Sequence, residues 1–392
     1  MDFGVSRSSP VFVRLLILGL AFWIVIRVAP FSGPAGLRST MVLASETMGR
    51  ATAALRVCRA RTGLAIDEET DVNRTGLIGS EFSSITTSVG RLEAKRTAVN
   101  PNFAGLVVLL LHQAGVRRGD AVAVGASGSF PALIVAVLCA ASAMDVDALV
   151  IPSLGASQWG ANEPEFHWLD MQRCLVEQGL VRFESVAVSL GGDGDVGDNM
   201  APEGRRMLED AVRHSGLPLI REPELERNVA LRMEYYQQAA GSAPIKAFVN
   251  IGGSTPNIGN DALVLRVEPG LARIHSLPPP QRRGVLFAMA ARDVPVIHFL
   301  FVRGLAAAYG LPWDPRPLPE PGEGAVYGRL RERSPAFLML GLVYLAAVIG
   351  LLIHDRSGRR RRADDPTRRA DDPRRGMDDS RRRTGGPGHQ DA

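Results

Sequence analysis

Apolar and polar positions along this chain fall into two repeating patterns. Short apolar runs of strand length end in small residues, and longer segments with helical periodicity follow them. Runs at 121–125, 148–152, 185–190 and 247–251 read as strands, with a short extended LPLI at 217–220. Helices are expected at 102–114, 132–143, 169–178, 203–214 and 225–240. Beyond residue 284 another helix leads into the extended VPVIHFLF. Strands alternating with helices at this spacing predict an α/β fold, a mainly parallel, Rossmann-like sheet with helices on both faces.

Four strand ends carry loops of small residues. GASGS contains Gly125, Ser127, Gly128 and Ser129, and LGAS contains Gly155 and Ser157. LGGDGD contains Gly191, Gly192, Asp193 and Asp195, and IGGS contains Gly252 and Gly253. Successive parallel strands point the same way, so the loop tips should face one sheet edge, where open α/β sheets bind ligands. The glycines and serines of these loops are therefore expected to share one cavity as ligand-binding positions. Small residues let backbone N–H groups approach an anion, and the helix N-terminus behind GASGS adds partial positive charge. The same residues also make tight strand-to-helix turns, and that plainer reading stays open.

Catalytic candidates are few. Ser127 invites comparison with a nucleophile elbow, but Ser129 stands where G-x-S-x-G needs its last glycine. Asp193 and Asp195 could bind a hard cation or act as base and acid, which makes them the metal candidates too; solvated turn aspartates are the alternative. No motif names a cofactor. His167, near Glu163, Glu165 and Asp170, and the run Glu93, Lys95 and Arg96 read as solvated surface. That run ends a Gly/Ser/Thr-rich stretch, 67–101, unusual for a simple connector and placed to fold over the pocket.

The chain ends suggest a membrane. Residues 11–31 hold a charge-free centre at 15–26, between Arg14 and Arg27; an uncleaved anchor is the favoured reading and a signal peptide its rival. Residues 336–353 run eighteen positions without a charge, enough to span. Arg356 and the arginines at 359–362 follow directly, so two spans would leave both termini cytoplasmic and the main domain outside. The expected divisions are an anchor at 1–34, a helical stalk at 35–66, with a packing helix as its alternative, and the α/β domain at 67–310. A Pro/Gly-rich linker at 311–334, a transmembrane helix at 335–354 and a disordered Arg/Asp tail at 355–392 complete them.

Charge and cysteine content narrow the function. The tail holds 12 Arg and 8 Asp, which accounts for the whole net charge of +4. A body with balanced charge carries no nucleic-acid footprint. Cys58, Cys139 and Cys174 form no metal pattern; a Cys58–Cys174 bridge is open only to a chain outside the cytoplasm.

The stretch TGLIGSEFSSITTSVGRLEAKRTAVNPNFAGLVV, with VAVGASGSFPAL, GASQWGANEPEFHWLDM, SVAVSLGGDGDVG and FVNIGG, resembles the poly-gamma-glutamate system protein family. These motifs cover roughly 66–253. The resemblance implies a bacterial membrane component of poly-γ-glutamate capsule production, working with the synthase and export subunits. Expected partners are those subunits, membrane lipid and the polymer itself. An amide hydrolase or transferase acting on the polymer is the second expectation, and a structural scaffold the third.

Overall fold

Every residue of the strand Ala121–Ser127 is buried, and its side chains alternate between two apolar cores. Val122, Val124 and Ala126 join one core, and Ala121 and Ala123 the other. A strand buried on both faces is what a parallel sheet sandwiched between helices requires. The computed structural model describes residues 10–28, 36–181, 183, 185–328 and 335–363.

The first elements are α1 (Pro10–Val28), α2 (Leu37–Arg61), β1 (Thr86–Ser88), α3 (Leu92–Ala98) and α4 (Asn102–Gln113). Next come β2 (Ala121–Ser127), α5 (Pro131–Met144), β3 (Asp147–Ser153), β4 (Ala156–Ser157), β5 (Asn162–Glu163), β6 (Phe166–His167) and α6 (Trp168–Glu177). They are followed by β7 (Val188–Ser189), α7 (Pro202–Ser215), β8 (Leu219–Ile220), α8 (Leu225–Ala240) and β9 (Ile245–Ile251). The remainder is α9 (Thr255–Ile258), β10 (Gly270–Ala272), α10 (Val285–Ala290), β11 (Val296–Phe299), α11 (Val302–Tyr309) and α12 (Pro335–Ala363).

The central sheet has the order β10-β11-β9-β2-β3-β7-β8, parallel except for β10 against β11. The chain enters at β2, steps through β3, β7 and β8 to one edge, and returns to β9 on the other side of β2. The reversal between β2 and β9 opens a crevice at their carboxyl ends, the usual ligand position in a doubly wound sheet. Helices cover both faces. One core gathers Met48 of α2, Leu106 of α4 and Leu133 of α5. The other gathers Met233 and Tyr236 of α8 with Phe287 of α10, and the Tyr236 hydroxyl donates to the Val124 carbonyl at 2.9 Å.

Two expected divisions change. Met41, Met48 and Leu55 of α2 are fully buried, so this helix is a wall of the α/β domain and not a stalk. Its apolar stripe finds α4 and α5, and a Cys58–Cys174 disulfide ties it to α6. The stretch after 310 is not a free linker through its described part, which reaches 328. Asp314 pairs with Arg96 at 2.6 Å, Asn102 holds the backbone at Glu320 and Gly322, and Val326 and Tyr327 are buried.

The described residues from 36 to 328 form one compact unit, and α1 with α12 form another. Within the latter, Phe22 of α1 stacks on Tyr344 of α12 with centroids 4.2 Å apart. Among the described residues no helix is long and apolar enough to cross a membrane. The charge-free runs at 15–26 and 336–353 extend past the positions whose side chains are described, and the tail at 364–392 lies outside the described residues.

Candidate functional site

A cavity of about 330 Å³ sits at the carboxyl ends of the strands, and all four small-residue loops reach it. Ser127 and Ser129 come from the loop after β2, and Gly155 and Ser157 from the loop after β3. The loop after β7 brings Gly192 and Asp193, and the loop after β9 brings Gly253 and Ser254. Thr87, Ser88 and Val89 close one side. They come from the Gly/Ser/Thr-rich stretch, which supplies β1 and pairs it in parallel with β4.

Six of the ten expected ligand positions thus line the cavity. Gly125, Gly128, Gly191 and Gly252 do not, and they serve the approach of the loops to each other. A Cβ on Gly128 would stand 2.8 Å from the Leu154 carbonyl, and one on Gly125 2.6 Å from the Asn257 amide. Gly252 has φ +83° and leaves 2.8 Å to the Ser127 Cβ. A side chain at Gly128 would therefore displace the backbone itself, not merely obstruct a ligand.

Hydroxyls knit the loops together. Ser127 Oγ donates to Ser129 Oγ at 3.0 Å, and Ser129 Oγ accepts from the Ser157 backbone at 2.9 Å. Ser127 meets no base in this network, so the elbow comparison fails on geometry as well as on spacing. The loop after β9 is positioned from below: Asn250 Nδ2 donates to the Gly252 carbonyl at 2.9 Å and lies 3.1 Å from His298 Nδ1. Burial pushes His298 down to about 4, so its neutral ring can accept that contact.

The two aspartates part company. Asp193 lines the cavity, and its backbone N–H donates to Asn199. Asp195 turns inward to Arg232 at 2.7 Å, where both side chains are buried. Ser189 donates to its Oδ1 at 2.8 Å and Asn228 to its Oδ2 at 3.1 Å. Its oxygens are engaged, which corrects the expectation of a cation or acid–base role there. Among the described residues no group of three or more His, Cys, Asp or Glu could hold a metal ion.

The charged run on α3 is not a solvated face. Lys95 and Arg96 are both buried, and Arg96 takes Asp314 with two hydrogen bonds. Among the described residues Lys95 finds no carboxylate: Nζ donates to the Ser129 carbonyl, lies 2.8 Å from Ser157 Oγ and sits 4.0 Å from the centre of the Phe130 ring. Burial alone pushes the Lys95 ammonium down to about 7. His167 is buried as well, as the N-cap of α6, with Nδ1 3.2 Å from Asp170. Burial lowers its pKa first, Asp170 opposes this and Arg173 adds to it. Glu163 pairs with the buried Arg59 at 3.3 Å.

Fold and cavity together define a doubly wound α/β domain with a polar site at its topological switch point. No protein-family model matches this chain, and neither a curated protein nor a solved structure matches it.

Proposed function

We propose that this chain is an accessory membrane protein of bacterial poly-γ-glutamate production or export, and that its α/β domain holds the polymer, or a carboxylate-bearing piece of it, in the switch-point cavity. The observation that carries this reading is the lining itself. Four loops present hydroxyls and backbone to one space, with Asp193 the one carboxylate among its lining residues and Lys95 directly behind Ser157 and Ser129. Such a lining suits carboxylates, which take several N–H and O–H donors. Further support comes from the family resemblance over 66–253, since its motifs include the loops of this cavity. The disulfide suits a domain exposed to an oxidising compartment. In this reading 11–31 and 336–353 span the bacterial cell membrane, and Arg356 with the arginines at 359–362 keeps both termini cytoplasmic. Reporter fusions at Gly324 and at the C-terminus should then report opposite sides; equal sidedness would sink the two-pass topology.

The binding claim is tested by calorimetric titration of γ-glutamyl oligomers into the full chain in detergent. Saturable, salt-sensitive binding is expected. Gly253→Asp should weaken it about tenfold or more, because a carboxylate in the lining repels the ligand. Gly253 is exposed with an ordinary φ, and a Cβ there meets only the Leu300 side-chain end at 3.3 Å and Ile258 at 4.0 Å, so the fold tolerates the change. Absence of binding by the folded wild type would remove the proposal.

A further inference from the structure

We propose that Lys95 and Ser157 form a base–nucleophile pair at the cavity, giving it an acyl-transfer or amide-cleaving activity toward glutamyl amides. The inference rests on the function proposed above for its substrate class alone. Geometry selects Ser157 among the serines. Its hydroxyl lies 2.8 Å from an amine, and it lines the cavity. Among the described residues the Ser127 hydroxyl reaches only Ser129.

The surroundings of Lys95 suit a base. Nucleophilic serine needs a neighbour able to take its proton, and a lysine serves when burial keeps it neutral near pH 7. The Ser129 carbonyl accepts one N–H, which leaves the nitrogen lone pair of neutral Lys95 to accept the Ser157 proton. The groups packed around it do not restore its charge. On its own helix Arg96 is committed to Asp314 and Glu93 is exposed to solvent, and α5 carries no acidic or basic side chain. On α11 the charged residue is Arg303, placed over the Trp313 ring at 5.7 Å. Asp193 lies in the lining of the cavity that Ser157 shares. A second feature points to a ligand: Ser254 lines the cavity, and its hydroxyl oxygen is buried with no hydrogen-bond partner among the described residues. It is a donor left over for charge developing on a substrate oxygen.

The chemistry closes with water as the second substrate. Ser157 Oγ bonds to the acyl carbon while its proton passes to Lys95 Nζ. The carbon–nitrogen bond then breaks, and Nζ returns the proton to the departing amine. Water attacks the resulting ester, giving its proton through Nζ to Ser157 Oγ as the carbon–Oγ bond breaks and the free acid leaves. An amine in place of water gives transfer.

A fluorophosphonate probe, with peptide mapping of the full chain in detergent, tests the pair without any polymer. An adduct on Ser157 is expected, absent in Ser157→Ala and formed at least 100-fold more slowly in Lys95→Met. Lys246→Met, at an exposed lysine, should label like wild type. The labelling rate should rise as pH increases through about 7, since only the neutral amine takes the proton. An unlabelled Ser157 in the folded wild type, or undiminished labelling in folded Lys95→Met, overturns the pair. γ-Glutamyl oligomers separate the two proposals. Labelling that the oligomers fail to block keeps the pair and overturns the polymer reading; oligomer binding without labelling does the reverse.

Discussion

Asp195→Ala is expected to cost about 3–5 kcal/mol of stability, the usual penalty for breaking a buried ion pair by removing one partner. The side chains of Asp195 and Arg232 are exposed by only 1% and 0%. Without the carboxylate, a guanidinium would remain inside the domain, bonded only to the neutral Ser189 hydroxyl and Asn228 amide oxygen. Solvent could not reach it, and arginine does not escape by losing its proton. The loop after β7 would lose its anchor to α8, and with it the position of Gly192 and Asp193 in the cavity. Asp195→Ala combined with Arg232→Met should recover most of the loss, because burying two apolar groups in place of a pair is close to neutral. Equilibrium urea unfolding of the wild type and the two variants checks this. A single variant within about 1 kcal/mol of wild type would mean that the pair is not buried in solution.

The layout of the sheet was legible in the sequence because it depends on local signals. Strand runs such as 121–125 are short, apolar and bounded by glycine, and their order along the chain is already that of the elements. The convergence of the four loops followed from parallel connection alone. What could not be read depends on partners distant in sequence. Asp195 looks like a turn aspartate beside Asp193 until α8 delivers Arg232, thirty-seven residues later, beneath it. Lys95 and Arg96 look solvated because charged residues usually are. Nothing near them in the chain announces that Asp314 waits for one and that Ser129, Ser157 and Phe130 enclose the other. The strand β10 escaped notice because its three residues have no alternation to show. One signal for Lys95 was present all the same, since it is one of only two lysines in a chain whose cations are otherwise arginines. Arginine holds its charge when buried, whereas lysine can give it up.

Lys95→Met should raise stability while removing the reactivity of the cavity. The unfolded chain holds this proton up to about 10.5, and the folded chain releases it near 7. At about 1.36 kcal/mol per pH unit, that gap represents roughly 5 kcal/mol lost to burying the amine. Methionine keeps the volume of the stem without that cost. It forfeits the hydrogen bonds to Ser129 and Ser157, so the net gain should be about 2–3 kcal/mol near pH 6. The sign of the pH dependence follows from proton counting. Between about 7 and 10.5 the unfolded wild type binds more protons than the folded form, so wild-type stability climbs with pH relative to the variant. The advantage of Lys95→Met should therefore be full below pH 7 and shrink steadily above it. Thermal melts of both proteins between pH 6 and pH 9 measure this directly. A lysine that destabilises its own domain while touching a cavity serine fits a group kept for reactivity, since activity and stability commonly trade against each other at such sites. A variant less stable than wild type at pH 6, with the same advantage or deficit at every pH, would instead make Lys95 an ordinary structural donor.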